Sequence, residues 1–308
     1  MGAFIDHETL KTGRIFHPGP GPAWESKTFA LPGDPYERYV VYPDTFSKVV
    51  GKRHGIYFSY FRYGFNEKKL AGFLRRMKRY GCAAQVAVEP TSLAQIQDDQ
   101  TLHRLAAILK ESEVPVFLRF ASEMNGSWVP YSGDPALYRE KFRLVARVIH
   151  KGAPNVAMVW CPSATPQAAI PKYFPGDDAV DWVGVNFYSV PGSSGSPSNP
   201  ADSLDYVYRT YSNKHPIMIC EWGASHRAAS DDIERPDFAA RQITRLYASL
   251  PTKYPRVKCV NWLSMNAIMF GNPGQRSHDY SLLDNEVVKR AYAKAVSDPY
   301  YLSDVAKS

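Results

Sequence analysis

Two glutamates in this chain stand at the downstream ends of short apolar runs and are each followed by aromatic residues. Glu123 lies in Pro115-Val-Phe-Leu-Arg-Phe-Ala-Ser-Glu-Met-Asn-Gly-Ser-Trp128, and Glu221 in Pro216-Ile-Met-Ile-Cys-Glu-Trp-Gly-Ala-Ser225. A strand that ends on a carboxylate and turns through Gly beside Trp holds an acid rigidly next to a flat apolar surface. Two such carboxylates facing each other are the equipment for hydrolysing a glycosidic bond. A separation of about 5 Å suits a covalent, retaining route, and roughly 6.5 Å or more leaves room for an inverting water.

The elements that must position them alternate along the chain. Tyr39–Tyr42 reads as a weak first strand and 55–61 as a clearer second. A helix over 66–80 follows, with Leu70, Phe73, Leu74 and Met77 at helical spacing and Gly81 as its stop. Strands are predicted at 83–90, 114–122, 156–160, 181–187, 217–220 and 257–263. The intervening helices are placed at 99–111, 135–151, 203–212 and 238–250, with a last one from Glu286. Residues 164–175 read as a loop with a short helix. Several strands are apolar nearly throughout, as strands covered on both faces must be. The pattern predicts one α/β domain over 36–308, a closed (β/α)8 TIM barrel. A doubly wound sheet is the rival, but no glycine-rich phosphate loop follows an early strand.

Before the barrel, residues 1–35 contain His17-Pro-Gly-Pro-Gly-Pro22 and Leu31-Pro-Gly-Asp-Pro35, which deny regular structure. They are expected to be an irregular lead-in packed on the barrel, anchored by Trp24. Residues 191–200, rich in Gly, Ser and Pro, read as a mobile surface loop. In a barrel of this kind catalytic groups sit at the C-terminal ends of the strands. Glu89, Glu123 and Glu221 end the third, fourth and seventh strands, and the fourth and seventh face each other across the mouth.

Composition excludes several alternatives. The 308 residues carry 37 Lys+Arg against 30 Asp+Glu, a net charge of +7 that mildly favours an acidic partner. The basic residues are spread along amphipathic segments such as Arg75-Arg76-Met-Lys-Arg79, the pattern of a solvated helix face. No zinc-finger, RNA-binding or P-loop signature accompanies them, so no nucleic acid partner is expected. Cys82, Cys161, Cys220 and Cys259 show no CxxC spacing and read as small buried hydrophobes. The eight His show neither HExxH nor paired ligand spacing, so no metal and no cofactor are expected. Ser225-His226 has no elbow motif, which argues against serine hydrolase chemistry. No stretch approaches a membrane span.

The segment Arg119-Phe-Ala-Ser-Glu-Met-Asn-Gly-Ser-Trp128 resembles the acid/base motif of glycoside hydrolase family 26, the β-mannanase family of a large retaining-barrel clan. Tyr173–Tyr188 resembles that family's approach to its sixth strand, and Pro216–Ser225 its nucleophile strand. The likeness runs from about residue 55 to 285. It implies Glu123 as general acid/base and Glu221 as nucleophile. Trp128, Trp262 and Tyr188 are implied as sugar platforms, and Arg119 and Tyr188 as donors that keep Glu221 ionised. Trp222 is ambiguous between platform and core, while Trp160 and Trp182 read as core. Asn125 and Asn186 could bind sugar hydroxyls or cap turns, and Glu89 could contact substrate or hold Arg119. In one place the chain departs from the pattern: Ser122 stands where the family's mannanases carry His, which puts mannan specificity in doubt.

The expectation is therefore a retaining endo-β-glycanase, β-mannanase-like, acting on a polysaccharide or oligosaccharide. It is expected to be monomeric and to work secreted or at the cell surface. The rival is a non-catalytic glycan-binding protein on the same barrel; the presence of both carboxylates argues against it.

Overall fold

The computed structural model describes residues 2–5, 43–192, 197–270 and 277–305. Eight parallel strands close into a barrel in chain order: β1 (Gly2–Ile5), β2 (Ile56–Arg62), β3 (Ala83–Glu89), β4 (Val116–Phe120), β5 (Val156–Trp160), β6 (Trp182–Ser189), β7 (Ile217–Ala224) and β8 (Val257–Ser264). The barrel is closed by β1, which pairs with β2 on one side and with β8 on the other. Four residues at the start of the chain thus fill the place expected of Tyr39–Tyr42. That expected strand and the rest of the lead-in, Trp24 included, lie outside the described residues, as do 193–196 of the Gly/Ser-rich loop.

Helices α1 (Pro43–Val50), α2 (Glu67–Tyr80), α3 (Gln100–Ser112), α4 (Pro135–Gly152), α5 (Asp205–Tyr211), α6 (Pro236–Lys253) and α7 (Glu286–Val296) cover the outside. Their ends follow local chemistry. The side chains of Asn66, Asp99, Asp134 and Asn285 each accept a backbone N–H in the first turn of α2, α3, α4 and α7. Gly81 closes α2 at φ 61, the left-handed conformation that favours glycine. Between β5 and β6 the crossover carries two 3₁₀ segments, Gln167–Tyr173, within the loop with a short helix expected at 164–175, and Asp177–Ala179 beyond it.

Alternation along each strand sorts side chains into two layers. Outward residues such as Val86, Leu118, Val185 and Ile219 join the helices in the main core. Inward residues fill the barrel: Ile56, Ala83, Val159, Met218 and Cys259 form a small apolar cluster with Cys161 and Cys220, against which Phe117 and Trp182 pack. Gly184 belongs to this interior because nothing larger fits; an added Cβ would lie 2.4 Å from Cys220 Sγ and 2.9 Å from Cys161 Cβ. All four cysteines are buried free thiols. Gln85 donates to the Cys220 carbonyl at 3.2 Å and accepts from Asn261 at 3.0 Å. The filling thus turns from apolar to polar toward the C-terminal mouth, where the carboxylates stand.

Candidate active site

Glu221 owes its direction to a bulge. On β7, Met218 and Cys220 point into the barrel, and simple alternation would send Glu221 outward and Trp222 inward. The register slips by one residue against both neighbours: Val185 pairs with Ile219 but Asn186 with Glu221, and Val260 with Ile219 but Trp262 with Trp222. The extra residue reverses the phase, a known use of bulges beside active sites. Glu221 then meets the Arg119 guanidinium through Oε1 and accepts from the Tyr188 hydroxyl at Oε2, 2.5 Å away. Arg119 is fully buried, lies over the rings of Tyr60 and Phe58, and stands 4.0 Å from Glu89 Oε1. The Tyr60 hydroxyl also reaches Glu221 and Arg119; burial first, then the Glu221 charge, push it far above the ordinary phenol value.

Glu123 is built differently. It lies three residues past β4 on a turn in which both Ala121 (φ 47) and Glu123 (φ 59) are left-handed without being glycine. Each such residue costs about 1–2 kcal/mol, so the turn needs anchors. Ala121 N donates to Val88 O of β3 at 2.9 Å, Glu123 N donates to Cys161 O beyond β5 at 2.8 Å, and the Tyr138 hydroxyl donates to Ala121 O at 3.2 Å. The carboxyl accepts from Asn186 Nδ2 at 2.8 Å and from Trp128 Nε1 at 2.6 Å. Burial, and then the nearby Glu221 charge, raise its pKa above the ordinary glutamate value, with the Asn186 and Trp128 hydrogen bonds pulling the other way. Because Asn186 holds Glu123 and is the register partner of Glu221, the two carboxylates share one polar cluster.

The remaining expected residues separate into two groups. Trp128 is 53 % exposed, with its indole N–H fixed on the Glu123 carboxyl and its ring open to solvent. Gly126 permits this, since a Cβ there would sit 2.3 Å from the Trp128 ring. Trp222 and Trp262 are wholly buried instead. They pack edge-on against each other at 4.8 Å and against Tyr247 of α6 and Tyr292 of α7, between barrel and helices. The platform role expected of Trp262, and one of the two roles open to Trp222, do not fit these positions. On β8 the inward residues are Cys259, Asn261 and Leu263, which leaves Trp262 facing out.

Asn125 is not free to bind a hydroxyl. Its amide N–H groups reach Ser163 O and Pro166 O, its carbonyl accepts from Ser163 N, and so it ties the acid's loop to the next one. Asn186 is likewise occupied, 1 % exposed and bonded to Glu123. Glu89 holds Ser122 Oγ at 2.7 Å and contacts the Tyr131 hydroxyl. Sequence reasoning passed over Tyr60 and Tyr131. The first was legible as the inward i+2 neighbour of Phe58 on β2; the second had no periodic signal. Among the described residues no group of three or more His, Cys, Asp or Glu could hold a metal ion, and no helix is long and apolar enough to cross a membrane.

Comparison with known proteins places this geometry in context. Residues 92–215 match the model described as Glycosyl hydrolase family 26, a stretch that includes Glu123 and stops short of Glu221. The beta-1,3-xylanase TXYA of a Vibrio species is 33 % identical over 108 residues, 33 % of this chain and 23 % of that protein. Endoglucanase H of Acetivibrio thermocellus is 27 % identical over 184 residues, 54 % of this chain and 19 % of that one. The chain spans less than a quarter of the length of these curated relatives. The catalytic domain of an endo-beta-1,4-mannanase from Bacillus sp. JAMB-750 superposes with a TM-score of 0.62 at 16 % identity, over 83 % of this chain and 79 % of that one. A beta-mannanase from Bacteroides ovatus gives 0.59 at 15 % identity, over 82 % of each. These structural likenesses concern the fold.

Proposed function

From its relationship to glycosyl hydrolase family 26, we propose that this chain is a retaining endo-β-glycanase that cleaves a polysaccharide by double displacement. The observation that carries the reading is the unequal wiring of two neighbouring carboxylates. Glu221 is paired with a guanidinium and a phenol, whereas Glu123 is half-buried among neutral donors and raised by desolvation and by the Glu221 charge. That is the division of labour the reaction needs.

In the first step a Glu221 oxygen attacks the anomeric carbon as the glycosidic C–O bond breaks, and the Glu123 proton passes to the departing oxygen. In the second, Glu123 takes a proton from water while that water's oxygen attacks the same carbon and releases Glu221. Arg119, Tyr60 and Tyr188 keep the Glu221 carboxylate fixed in direction, which matters because an attacking atom must approach along one line. Trp128 offers a stacking face beside the acid for the sugar ring at the cleavage point.

The sugar is left open between β-mannan, β-glucan and β-1,3-xylan. Ser122, the residue before the acid, has its hydroxyl turned to Glu89, which supports a specificity other than that of the mannanases. Because the substrate is a polymeric glycan, we place the site of action outside the cell. The test is reducing-sugar release from carob galactomannan, barley β-glucan and β-1,3-xylan, with proton NMR of the first-formed product. Retention of the β-anomer is expected on one of them. Inversion would overturn the double displacement, and glycan binding without turnover would turn the reading to a binding protein.

A further inference from the structure

Glu89 is a third carboxylate at the mouth, with no part in the two-glutamate chemistry, and the hydrogen bonds around it call for one more proton than its neighbours supply. Its Oε1 accepts from Ser122 Oγ at 2.7 Å. Its Oε2 is in short contact with the Tyr131 hydroxyl, and that hydroxyl lies 2.7 Å from the Ser122 carbonyl oxygen. Three oxygens in a row, Glu89 Oε2, Tyr131 Oη and Ser122 O, make two hydrogen bonds and need two protons. Tyr131 supplies one and the carbonyl none. The second has to be the carboxyl's own. With Glu89 ionised, the Tyr131 oxygen would turn a lone pair toward one of two acceptors, at a residue only 4 % exposed, where an unmade hydrogen bond costs about 1–3 kcal/mol.

The groups facing Glu89 pull in both directions, and burial tips the balance toward the neutral form. From β4 it faces Arg119, from the following loop Ser122 and Tyr131, from β7 Glu221, and from α4 Tyr138. Arg119 is committed to Glu221 and stands 4.0 Å from Glu89. Burial is the leading influence on the Glu89 carboxyl and pushes it up, against the pull of Arg119, Tyr131 and Ser122.

We propose that Glu89 is held protonated and acts as a positioning residue for Glu123. Its O–H donates to Tyr131 and Tyr131 donates to the Ser122 carbonyl, while the Ser122 hydroxyl donates back to the carboxyl. Ser122 lies between the two left-handed residues, Ala121 and Glu123, so this ring clamps the centre of the strained turn that aims the acid. The effect on rate rests on the reading of Glu123 as the acid; the protonation of Glu89 does not.

The first arm of the test is carbon-13 NMR of protein labelled at the glutamate carboxyl carbons, with Glu89→Gln identifying the missing signal. The Glu89 signal is expected to keep its protonated position at neutral pH. Titration with an ordinary midpoint of about 4.3 would overturn the proposal, whether or not any glycan is cleaved.

The second arm is kinetic, using the three polysaccharides and 2,4-dinitrophenyl glycosides of the same sugars. Glu89→Ala should lose about 100-fold in kcat on the polysaccharide but only about fivefold on the dinitrophenyl glycoside, whose leaving group needs no proton. Glu89→Gln, whose amide N–H replaces the carboxyl O–H, should recover to within about fivefold of the parent. A Gln variant as impaired as the Ala variant would mean that the charge of Glu89 is what matters and would refute the clamp. If the parent cleaves no glycan, the glycanase reading fails and the NMR arm still decides Glu89.

Discussion

Glu221 sits within β7, flanked on both sides by barrel strands, and its carboxyl meets a guanidinium. Glu123 sits past the end of β4 on a turn with two left-handed residues, and its carboxyl meets an amide and an indole. One side chain is aimed by a register slip in a sheet, the other by a loop stitched to strands on either side. On the proposed double displacement, the difference corresponds to what each group would have to do. A nucleophile has to stay charged and still, which a buried ion pair on a rigid strand provides. An acid has to surrender a proton and take it back, which neutral donors allow and an adjacent cation would hinder.

Removing each carboxyl in turn tests that contrast most severely. Glu221→Ala should lower kcat by more than about 10⁴-fold, about 5.4 kcal/mol of barrier, whatever the leaving group. Glu123→Ala should lose about 10²–10⁴-fold on polysaccharide and far less on a dinitrophenyl glycoside. Equal losses for both variants on both substrates would erase the division of roles.

Arg119 is the next lever. Arg119→Met leaves Glu221 buried without its cation, and breaking a buried pair from one side costs about 3–5 kcal/mol. Urea unfolding should show that loss, together with a fall in kcat larger than any rise in KM. A variant as stable as the parent would mean that the pair contributes nothing to the fold.

Much of this contrast could be read before the structure, and the exceptions have physical causes. Strands β5 and β8 and helices α2, α3, α4 and α7 fell within a few residues of expectation, because periodic apolar positions and Asn, Asp and Gly ends carry that information locally. Gly2–Ile5 was missed because four residues beside a Pro/Gly-rich stretch have no period, and what makes them a strand is pairing with β2 and β8, remote in sequence. The direction of Glu221 was equally invisible, since a bulge is settled by two neighbouring strands at once. Trp262 was misjudged by its place at a strand end, although alternation with Asn261 would have turned it outward. Trp262→Ala should therefore cost about 3–5 kcal/mol of stability and leave KM for a soluble glycan within about twofold of the parent. A large rise in KM without loss of stability would restore it to the cleft.

The raised acid also gives the contrast a signature in pH. A carboxyl whose folded pKa lies above its unfolded value stabilises the fold fully below the unfolded value, and that contribution is lost as pH rises through the folded one. Both Glu89 and Glu123 are raised. Stability should then decline on the alkaline side of about 4.3, and chemical denaturation across pH should show a shallower decline in the Glu89→Gln, Glu123→Gln double variant. An unchanged slope would mean that neither group titrates above the ordinary value.

The smallest expected effect is the most specific. Trp128 donates its indole N–H to Glu123, and a hydrogen bond to a carboxylate favours the charged form and lowers the pKa. Trp128→Phe keeps a stacking ring but removes that donor, so the Glu123 pKa should rise further. The alkaline limb of kcat/KM should move upward by about half a unit to one unit, since one unit is about 1.4 kcal/mol and the bond is partly open to solvent. Glu221 has no contact with this indole, so the acidic limb should stay where it is. An alkaline limb that does not move would show that Trp128 acts on the substrate alone, and that the acid's proton is governed by burial and the neighbouring charge.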